Sequence, residues 1–164
     1  MNVGVPSKRF AIKLLAVVEA SSVTGPAKNL ISFSREASNH CYSGLPAIES
    51  SVATFRRGPL ETDNQFVAAA REAGIDTDYI DERFRFDARV LTQLRSLVEQ
   101  RDPCIIQTHS VKAHFLTRLS GLWRDRPWVA FHHGYTTTDL KMRAYNQLDR
   151  WSLDRKSTRL NSSH

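Results

Sequence analysis

The run from Pro103 to Tyr135, PCIIQTHSVKAHFLTRLSGLWRDRPWVAFHHGY, constrains the fold more than any other part of the chain. Ile105 and Ile106 lead into Thr108-His109-Ser110, while Trp128, Val129 and Phe131 lead into His132-His133-Gly134. Between them, Val111, Phe115, Leu119 and Trp123 recur at i+4 spacing and predict a helix with a buried stripe. Strand, helix, strand makes a βαβ crossover, and such strands must be parallel and buried on both faces. In open parallel sheets, ligands bind at the carboxyl ends of the strands. Two histidine-bearing strand ends therefore point at one site.

The preceding sequence repeats this alternation. Phe10–Glu19 reads as a first strand and the small-residue stretch 20–25 as a loop. Pro26 opens a helix expected to bury Leu30, Ile31, Phe33 and Ala37, with Lys28 and Arg35 outward. The segment 39–51 reads as a loop, Ser51–Phe55 as a short strand, and Arg56-Arg57-Gly58-Pro59 as a break. Asn64–Ala73 predicts a helix stopped by Gly74, and Thr77–Ile80 a strand. Asp87 is placed to cap a helix to Glu99 bearing Val90, Leu91, Leu94, Leu97 and Val98 at helical spacing. A last helix spans Asp139–Leu153. The expectation is a doubly wound, Rossmann-like α/β domain over 10–153, preceded by a lead-in over 1–9.

At 164 residues and 41% apolar content the chain suits one core rather than two. No apolar run reaches membrane-spanning length. Cys41 and Cys104 have no metal-ligand spacing, and Cys104 falls inside an expected buried strand as a free thiol. These features point to a cytoplasmic protein. The net charge of +6 is scattered along the chain, without the aromatic-interleaved basic strip of a nucleic-acid binder. A solvated basic surface is the plain reading, and peripheral contact with the inner face of a membrane the functional one.

The loop SSVTGPAKN joins the first strand to the first helix, where helix N–H groups and the dipole favour an anion. Gly25 is its one glycine, so a dinucleotide fingerprint is excluded. His109 either meets a ligand or bonds within the sheet edge and caps the next helix. His132 and His133 point to opposite faces of their strand. Gly134 permits a sharp turn or a close ligand approach, which favours His133 as the cleft residue. Lys112 either reaches an anionic ligand or is solvated, and Asp139 is a helix N-cap. No G-x-S-x-G triad motif occurs, and the histidines lack the supporting ligands a zinc site needs.

The final residues 154–164, DRKSTRLNSSH, carry no apolar periodicity and back-translate to a string that looks like a sequencing-library adapter. The expectation is that this tail is foreign and that the natural reading frame continues past Leu153.

Taken together, ASSVTGPAKNL, IIQTHSVKAHFLTRLSGL and PWVAFHHGYTTTDLK resemble the amino-terminal domain of family 4 glycosyltransferases, which have the two-domain GT-B fold. The family's D-x-x-H-x-H-S-x-K-A style is matched from Asp102 to Ala113, with Gln107 where histidine often stands. The resemblance covers residues 11–153. It implies retaining transfer of a sugar from a nucleotide-sugar donor to a sugar or lipid-linked acceptor, in envelope or extracellular polysaccharide synthesis, without cofactor or obligatory metal. His133 would contact the transferring sugar. Gly25 and Gly134 would face the donor phosphates, and His109, Ser110 and Lys112 would line the acceptor side. The donor domain with its paired glutamates is not in the sequence, so the chain alone is expected to be inactive. Two other readings stand beside this one: a GT-B relative such as a nucleotide-sugar epimerase, and a non-catalytic phosphate-binding α/β domain.

Overall fold

Strands that are apolar on successive residues can be buried only if helices cover both faces of their sheet. β1 (Ala11–Val18) shows the consequence. Leu14, Ala16 and Val18 join one core layer, while Leu15 and Val17 join the other. The computed structural model describes residues 11–39, 46–58, 64–84, 87–132 and 158–161.

After β1 come α1 (Gly25–Asn39), β2 (Ala47–Arg57), α2 (Gln65–Glu72), β3 (Asp76–Glu82) and α3 (Arg89–Arg101). β4 (Ile105–Thr108), α4 (Val111–Leu119), a 3-10 turn at Leu122–Arg124, β5 (Trp128–His132) and β6 (Thr158–Asn161) follow. The strands form one six-stranded sheet in the order β3-β2-β1-β4-β5-β6. All pairings are parallel. α1 and α2 cover one face, where Ala27, Leu30, Phe66, Val67 and Ala70 pack on Leu14, Ala16, Val18 and Val52. α3 and α4 cover the other, where Val90, Leu94, Leu97, Val98 and Ala113 pack on Leu15, Val17, Phe55, Ile80 and Ile106. The doubly wound Rossmann-like sheet is therefore as expected, and its winding reverses between β1 and β4.

Several local expectations are corrected. β2 begins at Ala47 and runs through Arg57, so part of the expected loop and the Arg56-Arg57 break are both strand. Its full length is fixed by partners, since Ala11–Val18 pairs with Ala47–Thr54 and Ser51–Arg57 with Asp76–Glu82. In α1 the buried positions are Ala27, Leu30 and Ser34, while Phe33 is exposed. At 3.6 residues per turn Phe33 lies roughly 100° from the middle of that stripe. In α4 the buried residues are Ala113, His114 and Thr117, and Leu119 is exposed. Residues four apart drift by about 40° per step, which carries the expected stripe off the sheet. Cys104 precedes β4 and is exposed, not buried.

Residues 154–164, set aside on sequence grounds, supply β6 at the sheet margin. Parallel pairing uses backbone groups, so an open β5 edge accepts an extended segment whatever its side chains. The expected helix over 139–153 lies outside the described residues. No helix among the described residues is long and apolar enough to cross a membrane.

The N-cap of α3 is Ala88 rather than Asp87, and the helix runs to Arg101 rather than Glu99, yet Asp87 fastens the start of the helix through a set of bonds. Its carboxylate accepts from the backbone N–H of Arg83 at 3.0 Å and of Arg89 at 3.1 Å, and from Arg89 Nε at 2.9 Å. The Arg89 side chain first, then the Arg83 amide, hold its pKa well below the ordinary carboxylate value of 3.8. A depressed carboxylate pKa stabilises the fold above the unfolded value, and that contribution is lost as pH falls. Asp87→Asn is thus expected to lower stability at neutral pH and to flatten the loss of stability below about pH 4. Urea unfolding from pH 7 to 2 checks this, and parallel curves for the two proteins count against it.

Candidate functional site

The site is set by where the winding reverses. The helices after β1 and β4 leave to opposite faces, and such a switch point is where an open α/β sheet places its ligand-binding crevice. Glu19 follows β1 and His109 follows β4 at this point, and the His109 amide donates to the Val17 carbonyl at 3.1 Å.

The β4 end is braced by β5 and α4. Trp128 Nε1 of β5 donates to the Thr108 hydroxyl at 2.8 Å. His114 Nε2 of α4 lies 3.2 Å from the Thr108 carbonyl; since a carbonyl only accepts, that nitrogen carries the ring proton. The His109 ring stacks on Phe131 of β5, with centroids 4.9 Å apart and planes 10° from parallel. Gln107 Nε2 lies 2.7 Å from His109 Nε2. With the carboxamide nitrogen turned to the ring, Nε2 accepts and the neutral imidazole has its proton on Nδ1. Ser110 is the α4 N-cap, its hydroxyl accepting from the Ala113 amide at 3.2 Å.

Lys112 is tied down more tightly than its sequence position suggests. Its ammonium lies 2.6 Å from Glu82 Oε1 and 3.2 Å from Glu19 Oε1, and sits 4.0 Å above the centre of the Phe55 ring. Glu82 ends β3 with its side chain only 4% exposed, and Arg57 approaches its other oxygen at 3.3 Å. Lys112 thus straps α4 to the ends of β1 and β3 across β2.

Gly25 begins α1 at the same end of the sheet but on the opposite face from α4. Nothing lies within 4 Å of the position a Cβ would take there. Asn64, the α2 N-cap, donates from Nδ2 to the Ala20 carbonyl at 3.1 Å and so holds the loop before α1. Gly25→Ala is accordingly expected to leave Tm unchanged or raised by a few degrees, because alanine favours the helix by up to about 1 kcal/mol. Calorimetry checks this, and a marked drop would reveal a backbone constraint.

The structure therefore brings His109, Ser110 and Lys112 together at the start of α4, while Gly25 begins α1 at the same end of the sheet on the other face. His133 and Gly134 lie outside the described residues. Glu19, Glu82 and Phe55 were not picked out from the sequence. An acid directly after the first apolar strand was the available signal for Glu19, but its partner lies 93 residues away. A shallow groove lined by Arg71, Ile75, Asp76, Thr77 and Arg101 lies at the start of β3. It is remote from the strand carboxyl ends, and its Arg101 is paired with Asp76 and Asp78.

No protein-family model and no curated protein matches the sequence. Solved structures do match the fold. The Anabaena protein Alr3699/HepE in complex with UDP aligns with TM-score 0.68 and 13% identity, covering 92% of this chain and 37% of that one. Its complex with UDP-glucose aligns with TM-score 0.66 and 12% identity over 92% of this chain and 36% of that one. The apo lipopolysaccharide outer core galactosyltransferase WaaB aligns with TM-score 0.55 and 12% identity, over 73% of this chain and 32% of that one. The chain thus spans little more than a third of the HepE length. Its architecture is the Rossmann-like α/β fold of the amino-terminal half of GT-B glycosyltransferases.

Proposed function

We propose that this chain forms the acceptor-side wall of a glycosyltransferase that moves a sugar from a nucleotide-sugar donor to an acceptor with retention, in envelope or extracellular polysaccharide synthesis. The observation carrying this reading is the winding switch between β1 and β4, next to His109, in a sheet that aligns with HepE in complex with UDP-glucose. A departing nucleoside diphosphate needs donors aimed at its growing charge. In this reading His133 meets the transferring sugar, Gly25 and Gly134 let backbone approach the donor phosphates, and His109 and Ser110 meet the acceptor. No metal is required, and the reaction takes place on the cytoplasmic side, peripheral to the membrane.

The non-catalytic phosphate-binding alternative needs a free cation at Lys112. The two carboxylates around that ammonium weigh against it. Residues 154–164 are proposed to be foreign to the gene, and resequencing beyond Leu153 tests that. The reaction itself is tested by offering UDP-glucose and a glycan acceptor to the chain alone and to the chain extended by its natural downstream sequence. Transfer only by the extended protein is expected. Turnover by the chain alone defeats the half-site reading, and none by either defeats the transferase reading.

A further inference from the structure

Among the described strands β3 is outermost, with β2 on one side only. Successive residues of a parallel strand turn their N–H and C=O groups to alternate sides. The Glu82 carbonyl accepts from the Gly58 amide just past β2 at 3.4 Å, so Thr77, Tyr79 and Asp81 turn theirs away from the sheet. Such an outward row is a template for another strand unless something covers it.

At Asp81 a side chain of α3 covers it. The Gln93 carboxamide accepts from the Asp81 N–H at 2.9 Å through Oε1 and donates from Nε2 to the Asp81 carbonyl at 2.8 Å. A side-chain amide carries the same acceptor and donor as a peptide. Gln93 therefore gives Asp81 the two bonds that an opposed residue of an added strand would give. Further along α3, Arg101 holds the other end of β3, gripping both Asp78 oxygens at 2.9 and 3.0 Å and Asp76 at 2.7 Å.

Charge does not guard this edge, although β3 is rich in acids. Asp76 and Asp78 face Arg101, Asp81 faces Arg56, and Glu82 faces Arg57 and Lys112, so each carboxylate has a cation from its own chain. Repulsion between two such strands is correspondingly weak. A second copy approaching about a two-fold axis would meet β3 antiparallel. In the register centred on Tyr79, Thr77 of each copy lies opposite Asp81 of the other. Gln93 therefore blocks both outer pairs of that register and leaves the central one.

We propose that Gln93 is a latch that closes the β3 edge, and that without it a second copy of this chain adds to the sheet there. The inference is independent of the transferase reading.

The whole chain is compared with Gln93→Met and with Gln100→Met, which adds the same apolar group at an exposed position of the same helix. Sedimentation velocity and hydrogen exchange are followed over a range of concentrations. In dilute solution the Asp81 amide is expected to exchange about tenfold faster in Gln93→Met than in the parent, the factor one hydrogen bond carries. On concentration, Gln93→Met is expected to dimerise about tenfold or more tightly than either the parent or Gln100→Met, with the Thr77 and Asp81 amides slowed again. Association no tighter than that of Gln100→Met overturns the proposal. So does a dimer that slows the amides of β5 and leaves those of β3 unchanged. The parent alone gives a check that needs no variant to fold. Its Asp81 amide is expected to be protected about tenfold over an unstructured peptide, and an unprotected amide there overturns the latch.

Discussion

Replacing Lys112 by methionine is expected to destabilise the chain by about 3 kcal/mol, the lower end of the range for breaking a buried ion pair. The expected fall in Tm is about 6–12 °C for a domain of this size. Methionine keeps the aliphatic stem over Phe55 but leaves the Glu82 carboxylate, 4% exposed, with Arg57 as its remaining cation at 3.3 Å. The loss comes from stranding that charge, so removing the charge as well should restore most of it. The double variant Lys112→Met with Glu82→Gln is expected to recover at least half the lost stability in a denaturant-based double-mutant cycle. Two penalties that simply add would show that Lys112 and Glu82 do not work as a pair. Glu19→Gln serves as the internal control. Its carboxylate is half exposed and its bond to Lys112 longer, so its effect should stay below about 1 kcal/mol.

That strap also shows what the sequence conveyed and what it withheld. Apolar runs such as Leu14–Val18 and Ile105-Ile106 announce strands buried on both faces, and with intervening helices they lead to a doubly wound sheet. The winding switch between β1 and β4 then follows from topology alone, which is why the sequence places His109 and Ser110 at the carboxyl end of β4. Partnership across the sheet is another matter. Glu82 belongs to an acid-rich strand, and nothing local says that its side chain turns inward to meet a lysine on α4. His114 makes the same point. Periodicity favoured Phe115 and Leu119 for the buried face, yet the helix turns His114 inward because the Thr108 carbonyl offers its ring nitrogen a partner. Polar burial is decided by such pairing, and pairing is invisible to a pattern of apolar residues.

Trp128→Ala is expected to cost about 3–5 kcal/mol, as for other large aromatic side chains removed from a core. Trp128 is 7% exposed, packs in the α3/α4 layer, and its Nε1–H is bonded to Thr108, which is fully buried. Trp128→Phe keeps most of the packing but leaves the Thr108 hydroxyl without that donor, for an expected loss of about 1–3 kcal/mol. Stability alone cannot say whether this bond supports the site, so the comparison should be with Phe66→Ala. Phe66 is also buried, lies on α2 in the opposite layer, and should cost a similar amount, about 3–5 kcal/mol. Only the tryptophan braces the strand end that carries His109, whose amide is held on the Val17 carbonyl. Exchange of the His109 amide should therefore accelerate more in Trp128→Ala than in Phe66→Ala when both are compared at equal global stability. Equal acceleration would mean that the bond between Trp128 and Thr108 stabilises the fold without positioning the crevice. A larger effect at His109 would mean that the second strand of the βαβ unit holds the carboxyl end of the first in place.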